Sequence, residues 1–305
     1  MGGNNTSKVA QEEFLKELNA GKEPSAQVRK VSDYRYGSAL IEEFALGNGL
    51  EVIVWEDKAA PVIAYQTWFR VGSRHEKEGK TGIAHLFEHL MFQGSQNFND
   101  EYFKPLDPIG ARVNGTTSED RTNYYERVPS EYLELALWLE SDRMENLLPA
   151  LSQEKLDNQR DVVKNERRQN YEDRPYGTAW LKLQSSLFAK GHPYDHSPIG
   201  SHEDLSAATL EDVKDFFRQY YAPANAVLTI VGDYDAKEAR ALVEKYFGGI
   251  KAGARARKPV ATPTELKADI HLIEPDEVEL PRVLFAWHTP AFLEEGDAEM
   301  DILSS

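Results

Sequence analysis

The chain has 305 residues, 41% of them hydrophobic, no cysteine, and 51 acidic against 35 basic side chains, a formal net charge of -16. Without a thiol, thiolate catalysis, disulfides and cysteine-ligated zinc are excluded, so any metal must rest on histidine or carboxylate. The acidic excess repels phosphate backbones and speaks against nucleic acid as a partner, and no apolar run approaches the ~20 residues that span a bilayer.

Residues 1–30 are polar apart from a weak helical patch at Phe14–Leu18 and read as an N-terminal arm without the apolar core of a secretory leader. The run ALIEEFALGNGLEVIVWED (39–57) predicts two strands joined at Gly47-Asn48-Gly49, a hairpin turn signal. APVIAYQTWFRVG (60–72) alternates and is rich in branched and aromatic residues, a third strand. TGIAHLFEHLMFQG reads as a helix from near Thr81 that ends by Gly94, and 110–129 as another strand pair. A helix over 130–147 has Ser130 as its expected N-cap. A long helix follows from about Ser152 to Asn170.

An irregular stretch with Pro175 and Gly177, a helix near 178–189 and a loop over 191–201 come next. Then follow a helix at 209–221, a strand at 225–235, and a helix at 236–250 closed by Gly248-Gly249. These elements place a first domain at 31–250. Residues 251–265, rich in Ala, Lys, Arg and Pro, read as a linker. Two strand-like runs (268–275 and 281–292) and the first turns of a helix complete 266–305. Such a set cannot bury a core alone, so it either docks on the first domain or is the incomplete start of a second one.

Within the helix at 81–94, His85 and His89 are one turn apart, about 40° from one another on the wheel, with Glu88 on their flank. The pattern H-x-x-E-H reverses the H-E-x-x-H zinc motif. Neutral imidazoles bind zinc, and a glutamate beside the ion can take a proton from water. A core helix whose histidines hydrogen-bond locally fits the same letters, so a third ligand is required. On the helix that follows Ser152, Gln159, Val162, Val163, Glu166 and Asn170 cluster between roughly 240° and 340° when Leu156 is set at zero. Glu154, Asp157, Asp161 and Glu172 lie on the opposite side. Glu166 is therefore the acid on the apolar face, where it needs a cation. A zinc ion would supply it; so would an ion pair with the flanking Arg160 or Arg167.

GIAHLFEHLMFQGS followed by DVVKNERR resembles the inverted-motif zinc peptidases that include pitrilysin, insulin-degrading enzyme and the mitochondrial processing peptidase, family M16. NGLEVIVWED, FRVGSRHEKEGKTG, GARVNGTTSEDRTNYY, HPYDHSPIGSHEDL, FFRQYYAPANAVLTIVGDYD and KYFGGI agree in order and spacing. The likeness is dense over 40–250 and looser over 265–305. It implies an α+β fold, an antiparallel or mixed sheet packed with helices, forming the N-terminal catalytic half of a two-halved clam shell, plus the truncated start of a second similar domain.

The resemblance also implies one Zn²⁺ per chain on His85, His89 and Glu166, the last placed 77 residues beyond His89, with Glu88 as the catalytic base. Many members carry a glutamate seven residues before the distal ligand; here Gln159 stands there, able to hydrogen-bond next to the ligands but not to carry charge. Asn114, Gly115 and Thr116 match the edge strand on which an extended peptide is added. Taken alone, Asn114-Gly115 also fits the turn of a plain hairpin.

The implied activity is zinc-dependent endopeptidase cleavage of peptides or unfolded polypeptides. The family's second half adds substrate-gripping residues, so the expected partner is a second copy, another chain, or a C-terminal half. A non-catalytic or weakly active zinc-binding subunit of the same fold is the alternative. If a leader was removed, a periplasmic or cell-envelope location agrees with the resemblance.

Overall fold

The computed structural model describes residues 13–261 and 264–304. A seven-stranded mixed sheet forms its centre, with strand order β1-β2-β3-β7-β4-β6-β5. The strands are β1 (Arg29–Tyr36), β2 (Ala39–Ala45), β3 (Glu51–Glu56), β4 (Val62–Phe69), β5 (Arg112–Thr117), β6 (Thr122–Pro129) and β7 (Ala226–Gly232). Only the β3–β7 pair is parallel; every other neighbour runs antiparallel. Alternation in β4 buries Ile63, Tyr65, Thr67 and Phe69 on one face, and β7 alternates likewise. The helices are α1 (Ile83–Leu90), α2 (Leu133–Ala150), α3 (Gln153–Arg167), α4 (Gly177–Leu187), α5 (His202–Ala207), α6 (Leu210–Tyr220), α7 (Ala236–Phe247) and α8 (Asp297–Ser304). One continuous apolar core joins Ile63, Phe69, Phe87, Leu90, Leu137, Leu156, Phe217, Leu228 and Phe247. None of the helices among the described residues is long and apolar enough to cross a membrane.

Several elements differ from what local patterns suggest. Residues 1–12 of the expected arm lie outside the described residues. The rest does not hang free: Leu15 and Leu18 of a helical stretch at 13–18 pack against the core. The Asn19 side chain brackets Val28, accepting from its N–H at 2.8 Å and donating to its carbonyl at 2.9 Å. β1 then begins at Arg29 and pairs with β2. Its side chains are exposed on both faces, so no alternation of hydrophobicity marks it. Ser130 does not cap α2, because a 3-10 turn at Ser130–Tyr132 precedes the helix. The runs 268–275 and 281–292 form no strand, and Ile273 and Phe285 are exposed. A β-strand needs a neighbour to pair its backbone groups, and neither run meets one among the described residues.

Two interlocked glycines position α1. Gly82 precedes the helix with φ +88°, and the Cα of Gly200 would lie 3.0 Å from a Cβ placed on it. The left-handed residue stops the helix from extending back to Thr81. Thr81 instead donates its hydroxyl to Asp204 (2.5 Å) and accepts from Ser201 N–H (3.1 Å). The loop at 191–201 is thereby tied to the start of α1.

Candidate metal centre

α1 is amphipathic. Ile83, Ala84, Leu86, Phe87 and Leu90 are buried, while His85 and His89 share a half-buried face with their rings edge-on, centroids 4.8 Å apart. The free N–H groups at its start are met by Glu76, whose carboxylate accepts from Gly82 (2.9 Å) and Ala84 (2.8 Å). A buried acid at that end also complements the helix dipole. His196 Nε2 lies 2.9 Å from the same carboxylate. Glu76 and His196 lie in stretches that resemble the family, but nothing in their spacing links them; the pairing spans 120 residues of sequence and becomes visible only in three dimensions.

α3 packs across α1 through Leu156 and Val163, both fully buried. Ser152 caps it, accepting from Lys155 N–H at 3.2 Å. The helix continues as a wider π turn over Arg168–Glu172, so the expected single helix to Asn170 is in fact two geometries. Glu166 faces α1. Its Oε2 lies 3.6 Å from His85 Nε2 and 3.5 Å from His89 Nε2, and the two Nε2 atoms are 3.3 Å apart. The ion-pair explanation for Glu166 does not hold: Arg160 binds Asp157 and the carbonyls of Leu205 and Ala208, and Arg167 binds Glu172 and the carbonyl of Gly200.

This triangle fits a small divalent cation. Around a tetrahedral ion with bonds of about 2.0–2.1 Å, neighbouring donor atoms lie about 3.3–3.4 Å apart. The observed edges agree to within a few tenths of an ångström. The electrostatics point the same way. Burial, reinforced by the nearby His89, drives the His85 imidazole down to about 4, so it presents a neutral lone pair. Glu166 is held below the usual carboxylate range by hydrogen bonding with His89. Burial lowers the affinity of His89 for a proton, but Glu166 more than reverses this and raises it above the ordinary imidazole value. Gln159 Oε1 lies 3.2 Å from His89 Nδ1. With Nδ1–H donating there, Nε2 is left free to coordinate. The Nδ1 of His85 is buried with no partner among the described residues.

Glu88 sits beside the triangle, buried, its carboxyl raised above the ordinary range by desolvation and partly restored by a hydrogen bond from Thr117. An open cleft of about 380 Å³ contains His85, Glu88, His89, Gln159 and Glu166 together with Asn114, Gly115, Phe92 and Phe103. β5 pairs with β6 on one side only, and among the described residues its outer edge carries no further strand. The turn of this hairpin is at Ser118–Arg121, not at Asn114-Gly115. Thr116 is not part of the cleft wall: its hydroxyl donates to Asn123 (2.5 Å) and accepts from Arg121. The next residue of like orientation to Gly115 is Thr117, and it is Thr117 that reaches Glu88. Period-two alternation, applied to Asn114–Thr117, would have separated these pairs.

Residues 51–192 match the family described as Insulinase (Peptidase family M16), and residues 207–305 match a second family, Peptidase M16 inactive domain. Zinc protease PqqE of Helicobacter pylori is 32% identical over 268 residues, covering 86% of this chain and 60% of that protein. The crystal structure of a protease from Helicobacter pylori superposes with a TM-score of 0.67 at 33% identity, over 73% of this chain and 53% of the other. Cytochrome b-c1 complex subunit 1, mitochondrial, of Bos taurus is 27% identical over 206 residues, 67% of this chain and 42% of that protein. The chain therefore spans between 42% and 60% of the length of these relatives. Matched along both stretches by M16 models, and built on the same sheet-and-helix frame as a solved protease, the chain belongs to peptidase family M16.

Proposed function

We propose that this chain is the zinc-holding half of a metalloendopeptidase that cleaves peptides or unfolded polypeptides. The convergence of His85, His89 and Glu166 Oε2 at 3.3–3.6 Å carries the reading. These three side chains would hold one zinc ion, which when bound supplies a Lewis acid for a carbonyl and for water. Glu88 takes a proton from the attacking water as the water oxygen bonds to the scissile carbonyl carbon. As the C–N bond breaks, Glu88 delivers that proton to the leaving amine. Gln159 keeps His89 in the orientation that exposes Nε2. The free edge of β5 at Asn114 and Gly115 offers backbone groups on which an extended peptide can pair, with little demand on its sequence.

The longer relatives support a further part of this reading. We place the first unit at 31–250, a linker at 251–265, and the beginning of a second unit at 266–305. The second half would close a chamber over the cleft, either as a continuation of the chain or as a separate copy or partner. Alone, the chain is expected to bind zinc and cleave weakly. The cytochrome b-c1 relative, named for a complex and not for a protease, supports a second reading in which the fold is a non-catalytic subunit.

Zinc content of the purified chain, with cleavage of an unstructured fluorogenic peptide measured before chelation, after chelation and after zinc is restored, separates the two. Chelator-sensitive, zinc-restored cleavage supports the peptidase. Stoichiometric zinc with no cleavage, alone or with a supplied second half, supports the subunit. A chain that takes up no zinc overturns both the metal assignment and the mechanism.

A further inference from the structure

We propose that Thr117 positions the Glu88 carboxylate, and that Oε1 of Glu88 is the oxygen left to exchange the proton; this rests on the peptidase reading above. Glu88 projects from α1 on a side chain with three rotatable bonds, so the helix fixes its Cα but not its carboxylate. The carboxylate is set from the other side, by β5. The Thr117 hydroxyl donates to Oε2 at 2.5 Å, a charge-assisted contact that selects one orientation. Gly115, two residues back on the same face of the strand, supplies the space: a Cβ there would lie 2.9 Å from Oε1 and 3.0 Å from Cγ. Among the described residues, Oε2 receives the Thr117 hydrogen bond and Oε1 receives none, which leaves Oε1 open beside Gly115 in the cleft. Arg121, the nearest cation of this hairpin, is engaged by Thr116 and Asn123 and does not take Thr117's place.

This arrangement puts the base and the peptide-pairing edge on one strand. The backbone that would register a substrate also carries the hydroxyl that aims Glu88, so a shift of β5 moves both together.

The test compares Thr117→Val, which removes the hydroxyl and keeps the shape, with Thr117→Ser, which keeps it, and Gly115→Ala, which crowds Oε1. With zinc content equal to wild type, Thr117→Val should lower kcat by ~10-fold or more while KM stays within about twofold, since positioning is felt in the transition state. Thr117→Ser should restore most of kcat, and Gly115→Ala should lower it. A crystal structure of the metal-free Thr117→Val chain should show Glu88 in more than one rotamer. Wild-type kcat in Thr117→Val, or a single unchanged Glu88 orientation without the hydroxyl, overturns the proposal. If wild type cleaves nothing even with a supplied second half, the peptidase reading fails, and the crystallographic comparison still decides whether Thr117 orients Glu88.

Discussion

His196 and Glu76, 120 residues apart in sequence, meet at 2.9 Å beneath the first turn of the helix that carries both histidines of the candidate metal centre. Burial opposes a charge on His196, but hydrogen bonds to Glu76 and Asp195 more than offset it and raise the imidazole to about 9. Burial also raises Glu76, against the bonds from His196 and the α1 backbone.

Both groups hold protons more tightly folded than unfolded, so stability falls as pH rises. The His196 contribution is present in full below about 6.5, the unfolded value, and is lost as pH climbs through about 9. Thermal melting of the metal-free chain should therefore decline between these limits. His196→Gln, which retains a donor but cannot titrate, should flatten the decline. An identical slope in that variant would assign the effect elsewhere.

Glu88→Gln keeps the size of the side chain and an acceptor for Thr117 but removes the base. Zinc stoichiometry should stay at the wild-type level while kcat drops by ~10²–10⁴-fold. Metal analysis that finds this variant empty, or an assay that finds it fully active, would remove Glu88 from the proposed role.

Gln159→Leu removes the acceptor beside His89 Nδ1 without adding charge. Competition with a fluorescent chelator should show zinc affinity reduced by ~10–100-fold, the usual cost of losing a group that orients a ligand. Gln159→Glu restores the acceptor and should bind zinc at least as tightly as wild type. Equal affinities in all three chains would make Gln159 a bystander.

Arg143 is fully buried, with its guanidinium 4.1 Å from the ring of Tyr102 and 4.5 Å from that of Tyr124. It pairs with the buried Glu140. Glu126 is also buried nearby, its carboxyl pushed up to about 7 by desolvation against the pull of Arg143. Arg143→Leu strands two acids and should cost about 3–5 kcal/mol in chemical denaturation. Adding Glu140→Leu should recover part of that loss; a double variant no more stable than the single one would contradict the pairing.

The parts of this fold that local patterns foretell are those that bury one face. β3, β4 and β7 alternate, α1 and α6 are amphipathic, β2 is flagged by the hairpin turn, and all are found within a few residues of their expected limits. β1 was illegible because both its faces are exposed, so tertiary pairing alone holds it. The wheel through Leu156 separated Glu166 from the other acids of its helix, and the structure turns that side chain toward His85 and His89. Thr117, Glu76 and His196 lie in stretches that resemble the family, but no period or spacing there pointed to their roles. Their partners are distant in sequence, and a single threonine, glutamate or histidine carries no period to read. The strand-like runs after 266 show the converse: composition suits a strand, but no neighbour among the described residues pairs with them.

The place of β7 has a consequence for how the protein is made. β3 and β4 follow each other along the chain, yet β7, which is not synthesised until residue 226, lies between them. A nascent chain that already contains His85, Glu88, His89 and Glu166 still has a split sheet, with two open edges where its centre belongs. Long-range pairing of this kind closes late and slowly. The sheet that supports the site is thus sealed by its last strand, and until then the exposed edges of β3 and β4 are the segments most in need of protection from aggregation.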